Sequence, residues 1–186
     1  LRRRELAGDA MNLRVLVVDD DEVDVMLFRK ALERSRPPEV AFELVHAKSV
    51  VEARTWLKKE SFDLAVVDYR MPEITGLEFL QELVPAHPKL PVVMCTGSGD
   101  ERTAARAIKE RAQEYLLKAD LLHVPLARIL LDAVARKREE VGKSEETRLL
   151  ADRARLDDLT GLPRQAIILK FMEDGLDRCR NAGRPF

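Results

Sequence analysis

The stretch Val15–Asp24, VLVVDDDEVD, decides how this chain is read. Four apolar residues run directly into Asp19, Asp20 and Asp21. Val15–Val18 shows no polar alternation, which fits a strand buried on both faces. Carboxylates crowded at the end of such a strand repel one another, and like charges this close shift pKa values by whole units unless a cation intervenes. One of the three has an ordinary explanation. An aspartate after a strand often caps the next helix, and Asp21 fits that role best. Asp19 and Asp20 need another reason.

Outward from this stretch, short apolar runs alternate with amphipathic ones. Arg14–Val18, Ala41–Val45, Asp63–Val67, Pro91–Cys95 and Glu114–Lys118 read as strands. Helical spacing links Val25, Leu27, Phe28, Ala31 and Leu32, then Val50, Val51, Ala53, Trp56 and Leu57. It returns at Leu77, Phe79, Leu80 and Leu83, and more weakly at Ala104, Ala105, Ala107 and Ile108. Five βα repeats predict an α/β fold: a parallel sheet with helices on both faces and right-handed crossovers.

In such a sheet, ligands bind beyond the carboxyl ends of the strands. Those ends carry Asp19, Asp20 and Asp21 on the first strand, Asp68 on the third, Thr96 on the fourth and Lys118 on the fifth. Helix capping does not explain Asp68 and Lys118 at matching ends. Oxygen donors without a neighbouring His or Cys suit Mg²⁺, Mn²⁺ or Ca²⁺. Mg²⁺ takes one or two carboxylates and leaves positions for phosphate oxygens. The edge therefore looks built to receive a phosphoryl group.

The remaining composition excludes other classes. The 186 residues are 46% hydrophobic and 35% charged, with a net charge of −1. That balance does not point to a bulk nucleic-acid or membrane-surface binder. Cys95 and Cys179 stand far apart, which argues against a disulfide framework or zinc site and fits a reducing, cytoplasmic setting. No apolar run approaches the roughly 20 residues of a membrane span. Met11 reads as a plausible natural start, with residues 1–10 an upstream extension or a tag, and they lack the apolar core of a signal peptide.

Past the fifth strand, Leu126, Ile129, Leu130, Ala133 and Val134 continue an apolar stripe. From Arg136 to Glu146 the sequence turns highly charged. Val134 and Val141 keep a seven-residue spacing, but Lys137 and Ser144 interrupt the accompanying row. Leu149 and Leu156 resume the spacing in a shifted phase. A helical connector is expected, with pairing to a second copy as its sharper form. A second unit starts at DDLTGLPRQ, Asp157–Gln165, followed by helical spacing of Ile167, Ile168, Phe171, Met172 and Leu176.

The pieces VLVVDDDE, LAVVDYRMPEITGLEFL, PVVMCTG and EYLLKAD together resemble the receiver domain of two-component response regulators. The resemblance covers residues 13–135 and implies a flavodoxin-like (βα)5 sheet of order 2-1-3-4-5. It implies Asp68 as phosphoacceptor, with Mg²⁺ (Mn²⁺ as the alternative) held by Asp20 directly, Asp19 mainly through water, Asp68, and the backbone carbonyl of Arg70. Thr96 and Lys118 would pair with phosphoryl oxygens, and Tyr115 would be the aromatic switch that responds to Thr96. The implied donor is a sensor histidine kinase or a phosphotransfer protein. The implied chemistry is self-phosphotransfer followed by autodephosphorylation.

Two departures from the family stand out. Ala119 replaces the proline usual after the lysine, and Arg111 stands where a glycine usually precedes the fifth strand. Residues 157–186 are similar to the opening of a GGDEF-type diguanylate cyclase domain. No Gly-Gly pair occurs anywhere, so cyclic di-GMP synthesis is not expected from the chain as given. The expected organisation is an extension (1–12), a receiver (13–135), a signalling helix (136–156) and a truncated cyclase start (157–186). The alternative reading is the regulatory fragment of an active cyclase.

Overall fold

The computed structural model describes residues 11–97 and 101–155. Five strands and five helices alternate: β1 (Met11–Val18), α1 (Glu22–Ser35), β2 (Val40–Ala47), α2 (Val50–Lys59), β3 (Leu64–Asp68), α3 (Gly76–Ala86), β4 (Val92–Thr96), α4 (Glu101–Lys109), β5 (Glu114–Leu117) and α5 (Leu126–Arg155). The sheet is parallel throughout, in the order β2-β1-β3-β4-β5. This is the flavodoxin-like arrangement the sequence implies. The resemblance of residues 157–186 to a cyclase domain lies outside the described residues.

The strands sort their side chains between two apolar layers, as the two-residue period of a strand requires. Val15, Val17, Leu64, Val66, Val93 and Cys95 face α1 and α5, meeting Val25, Phe28, Leu32, Leu126 and Leu130. Leu16, Val18, Ala65, Val67, Val92 and Met94 face the other way, against Ala53, Leu77, Phe79, Leu80 and Ala107. β3 and β4 are buried at every residue, whereas β2, at the sheet edge, is mostly half-buried. Their apolar runs follow from burial on both faces.

Two helical faces differ from the sequence reading. Val51 is 55% exposed and Ile108 50% exposed, so neither joins the core. In α4 only Ala107 is fully enclosed among the described side chains.

Compact packing divides the chain after Glu139. Within the first unit, Lys137 is buried, although it stands in the highly charged run. Arg136 donates to the Gln113 carbonyl at 2.9 Å and pairs with Glu114, while Arg138 approaches Asp63 at 3.5 Å. These contacts tie α5 to the amino-terminal edge of the sheet. In the second unit the helix continues to Arg155, with Leu149 60% exposed. Among the described residues no helix is long and apolar enough to cross a membrane.

Candidate functional site

The site lies at the carboxyl edge, where β1, β3 and β5 end. Asp19 directly follows β1 and is 5% exposed. Its backbone is held from both sides: its N–H donates to the Ala47 carbonyl at 3.1 Å, and its own carbonyl lies 2.8 Å from His46 Nε2. Asp19 Oδ1 accepts the Asp21 N–H at 3.0 Å. Asp21 caps α1, its side chain accepting the Val23 N–H at 2.8 Å. Asp20 stays exposed between them.

Asp68 ends β3 and is 4% exposed. Its Oδ2 accepts the Arg70 N–H at 2.7 Å. The chain then turns and starts α3 through a capping box between Thr75 and Glu78, and Gly76 donates to the Tyr69 carbonyl at 2.8 Å. These bonds fix the loop that carries Arg70. Thr96 ends β4, fully buried, one residue beyond Cys95, the residue paired with Asp68 across the sheet. Tyr115 lies beside Met94 on β5, half-buried against the α3/α4 layer, with its hydroxyl out of solvent.

Lys118 follows β5 and opens a single 3-10 turn, Lys118–Asp120. Every described peptide bond is trans, including the one to Ala119. Its ammonium lies 2.7 Å from Asp19 Oδ2, 2.8 Å from Asp68 Oδ1 and 2.6 Å from Asp24 Oδ2. Asp24 is the contact that sequence reasoning missed. It sits in the first turn of α1, where acidic residues are common for helix-dipole reasons, so nothing in the sequence set it apart.

Burial and charge oppose each other here. Burial would lower the Lys118 ammonium, but its bonds to Asp19, Asp24 and Asp68 outweigh that and hold it above the usual range. Burial raises the Asp19 carboxyl above the usual carboxylate range, with Lys118 working against it. Asp19, Asp20 and Asp68 each offer an oxygen within 4.8 Å of the others. An all-oxygen set of this size fits a hard divalent cation. The structure thus brings Asp19, Asp20, Asp68 and Lys118 together. Thr96 and Tyr115 stand on the neighbouring strands, and Arg70 enters through its backbone.

A family model for the response regulator receiver domain matches residues 15–123. The response regulator protein PilR of Pseudomonas aeruginosa is 35% identical over 105 residues, 56% of this chain and 22% of that protein. The methanogenesis regulatory protein FilR1 of Methanothrix harundinacea is 34% identical over 140 residues, 72% of this chain and 30% of that protein. The chain therefore spans less than a third of the length of these two curated relatives. A receiver domain protein from Clostridium thermocellum superposes with a TM-score of 0.57 at 29% identity, covering 68% of this chain and 97% of that one.

Proposed function

Because the chain belongs to the response regulator receiver family, we propose that it is a phosphorylation-dependent switch of a two-component system, with Asp68 as the phosphoacceptor. One observation carries this reading: the buried Asp68 carboxylate has the Lys118 ammonium at 2.8 Å on one oxygen and belongs to a three-carboxylate cluster suited to a cation.

The chemistry follows from those positions. An Asp68 oxygen attacks the phosphorus of a phosphohistidine on a histidine kinase or phosphotransfer protein. The P–N bond breaks and the imidazole leaves as the P–O bond forms. Lys118 offsets charge on the phosphoryl oxygens, and Arg70 N–H steadies the second Asp68 oxygen. Asp19, Asp20, Asp68 and the Arg70 carbonyl would hold Mg²⁺, or Mn²⁺ in its place. When bound, that cation neutralises carboxylate charge and polarises the phosphoryl oxygens. Hydrolysis of the acyl phosphate returns Asp68 to its free form.

The product places about −2 of charge beside Thr96 at neutral pH. A shift of Thr96 toward it opens space next to Tyr115 on β5. The face formed by α4 and β5 then changes, and α5 carries the change onward. Two chains pairing through that face and α5 would provide the output. The reading places the protein in the cytoplasm, with its phosphodonor.

Incubation with acetyl phosphate and Mg²⁺, followed by intact-mass measurement, tests the core claim. One added phosphoryl group is expected, and none in Asp68→Asn. Full labelling of that variant would place the nucleophile elsewhere. Sedimentation with and without a beryllofluoride mimic tests the output. A monomer in both states would remove the pairing step and leave the phosphorylation site intact.

A further inference from the structure

We propose that Asp24 is a positioning residue that restrains Lys118 and thereby limits how strongly the phosphorylated form of Asp68 is held. The inference rests on Asp68 being the phosphoacceptor. An ammonium has three N–H donors, and here three carboxylates stand within 2.8 Å of it: Asp19, Asp24 and Asp68. Every donor of Lys118 is matched by an anion.

The three partners differ in what phosphorylation does to them. The contact to Asp68 can pass to a phosphoryl oxygen on that same side chain. Asp19 belongs to the cluster that suits a cation, so its charge has a second claimant. Asp24 belongs to neither group. It comes from α1, lies outside that cluster, and its side chain is 31% exposed where those of Asp19 and Asp68 are 8% and 4% exposed. Its charge therefore stays on the ammonium in both states. It draws Lys118 toward α1 and repels an incoming phosphoryl group. A purely helical role, an acidic residue favouring the α1 amino terminus, would not require the 2.6 Å contact to a side chain 94 residues away.

The direct test is Asp24→Asn, which keeps the size and an acceptor oxygen but removes the charge. Beryllofluoride, titrated with Mg²⁺ and followed by fluorine NMR, is expected to bind roughly five-fold more tightly, the order of the difference between an ion pair and an ammonium–amide hydrogen bond on Lys118. Phospho-Asp68 should last longer by a similar factor. Asp24→Glu, which restores the charge, should return both toward the parent values. Thermal midpoint and Mg²⁺ affinity, which a merely structural role would move, should change little. Should the Asn variant prove unstable, Asp24→Ala tests the same direction. Unchanged or weaker beryllofluoride binding in these charge-removing variants, beside a parent chain that binds it, overturns this inference alone. A parent chain that neither binds beryllofluoride nor accepts phosphate overturns the reading of Asp68 as well.

Discussion

A β-carbon on Gly76 would overlap the backbone carbonyl oxygen of Asp68 and would lie 3.0 Å from the Met94 side chain. The start of α3 therefore sits directly against the backbone of the proposed phosphoacceptor, and only glycine permits that approach. Gly76→Ala must push α3 away from β3 or displace Asp68. Overpacking of this kind costs about 1–3 kcal/mol. Urea unfolding should show that loss. Labelling by acetyl phosphate should slow as well, because the strain falls on Asp68 itself. A variant of parental stability would mean that α3 shifts without resistance.

Asp20 and Asp21 are adjacent, yet they should fail differently. Asp21 is committed to the α1 cap, whereas Asp20 shares the cation-sized cluster with Asp19 and Asp68. Asp20→Ala is expected to weaken Mg²⁺ binding strongly and leave stability nearly unchanged. Asp21→Ala should cost about 0.5–2 kcal/mol of stability, the usual loss of an N-cap, and leave Mg²⁺ binding nearly unchanged. A Mg²⁺ titration with the reverse ranking would show that the two roles are exchanged.

The same pair shows what was legible in the sequence. The strands, the strand-end residues and the capping role of Asp21 could be read because each leaves a local pattern: an apolar run, a terminal polar residue, a helix start. The strand order leaves none and was implied only by the family resemblance. Asp24 left none, since its contact spans 94 residues and its helical position is ordinary for an acid. Lys137 was hidden for the converse reason. A charged run suggests solvent, yet its position continues the Leu126, Leu130, Ala133 and Val134 face, and it is buried there. Val51 and Ile108 fit helical spacing but lie at the margins of their stripes, where spacing alone does not distinguish core from surface.

Alkaline pH should destabilise the fold through Cys95. Burial pushes its thiol up to about 12, and it packs in the layer facing α1 and α5. In the unfolded chain a thiol titrates near about 8.5. Between these values the unfolded state has lost the proton and the folded state keeps it, so stability falls as pH rises. Below the unfolded value the contribution is complete. The expected slope from this group approaches about −1.4 kcal/mol per pH unit. Lys118, also held above its usual range, adds to the trend above about pH 10.4. Urea unfolding at about pH 8, 9 and 10 should give a steeper decline for the parent than for Cys95→Ala. Equal slopes would mean that the folded-state thiol ionises as readily as the unfolded one.

Arg111 offers a gain in stability away from the site. It has φ of 71°, the only non-glycine positive φ among the described residues, in the turn between α4 and β5. The turn is held by hydrogen bonds from the Arg111 N–H to the Ile108 carbonyl and from the Ala112 N–H to the Ala107 carbonyl, at 3.0 and 2.9 Å. They fix the chain in the left-handed region whichever residue stands there. For an L-residue that conformation costs about 1–2 kcal/mol. Glycine removes this strain but adds freedom to the unfolded chain, which returns about 0.4–1 kcal/mol. The side chain is exposed, so its loss should remove little packing. Arg111→Gly is therefore expected to raise stability by up to about 1.6 kcal/mol, the difference of those two effects. Denaturant midpoints compared at equal slope would show it. A lower midpoint would mean that the arginine side chain makes a contribution larger than its backbone strain.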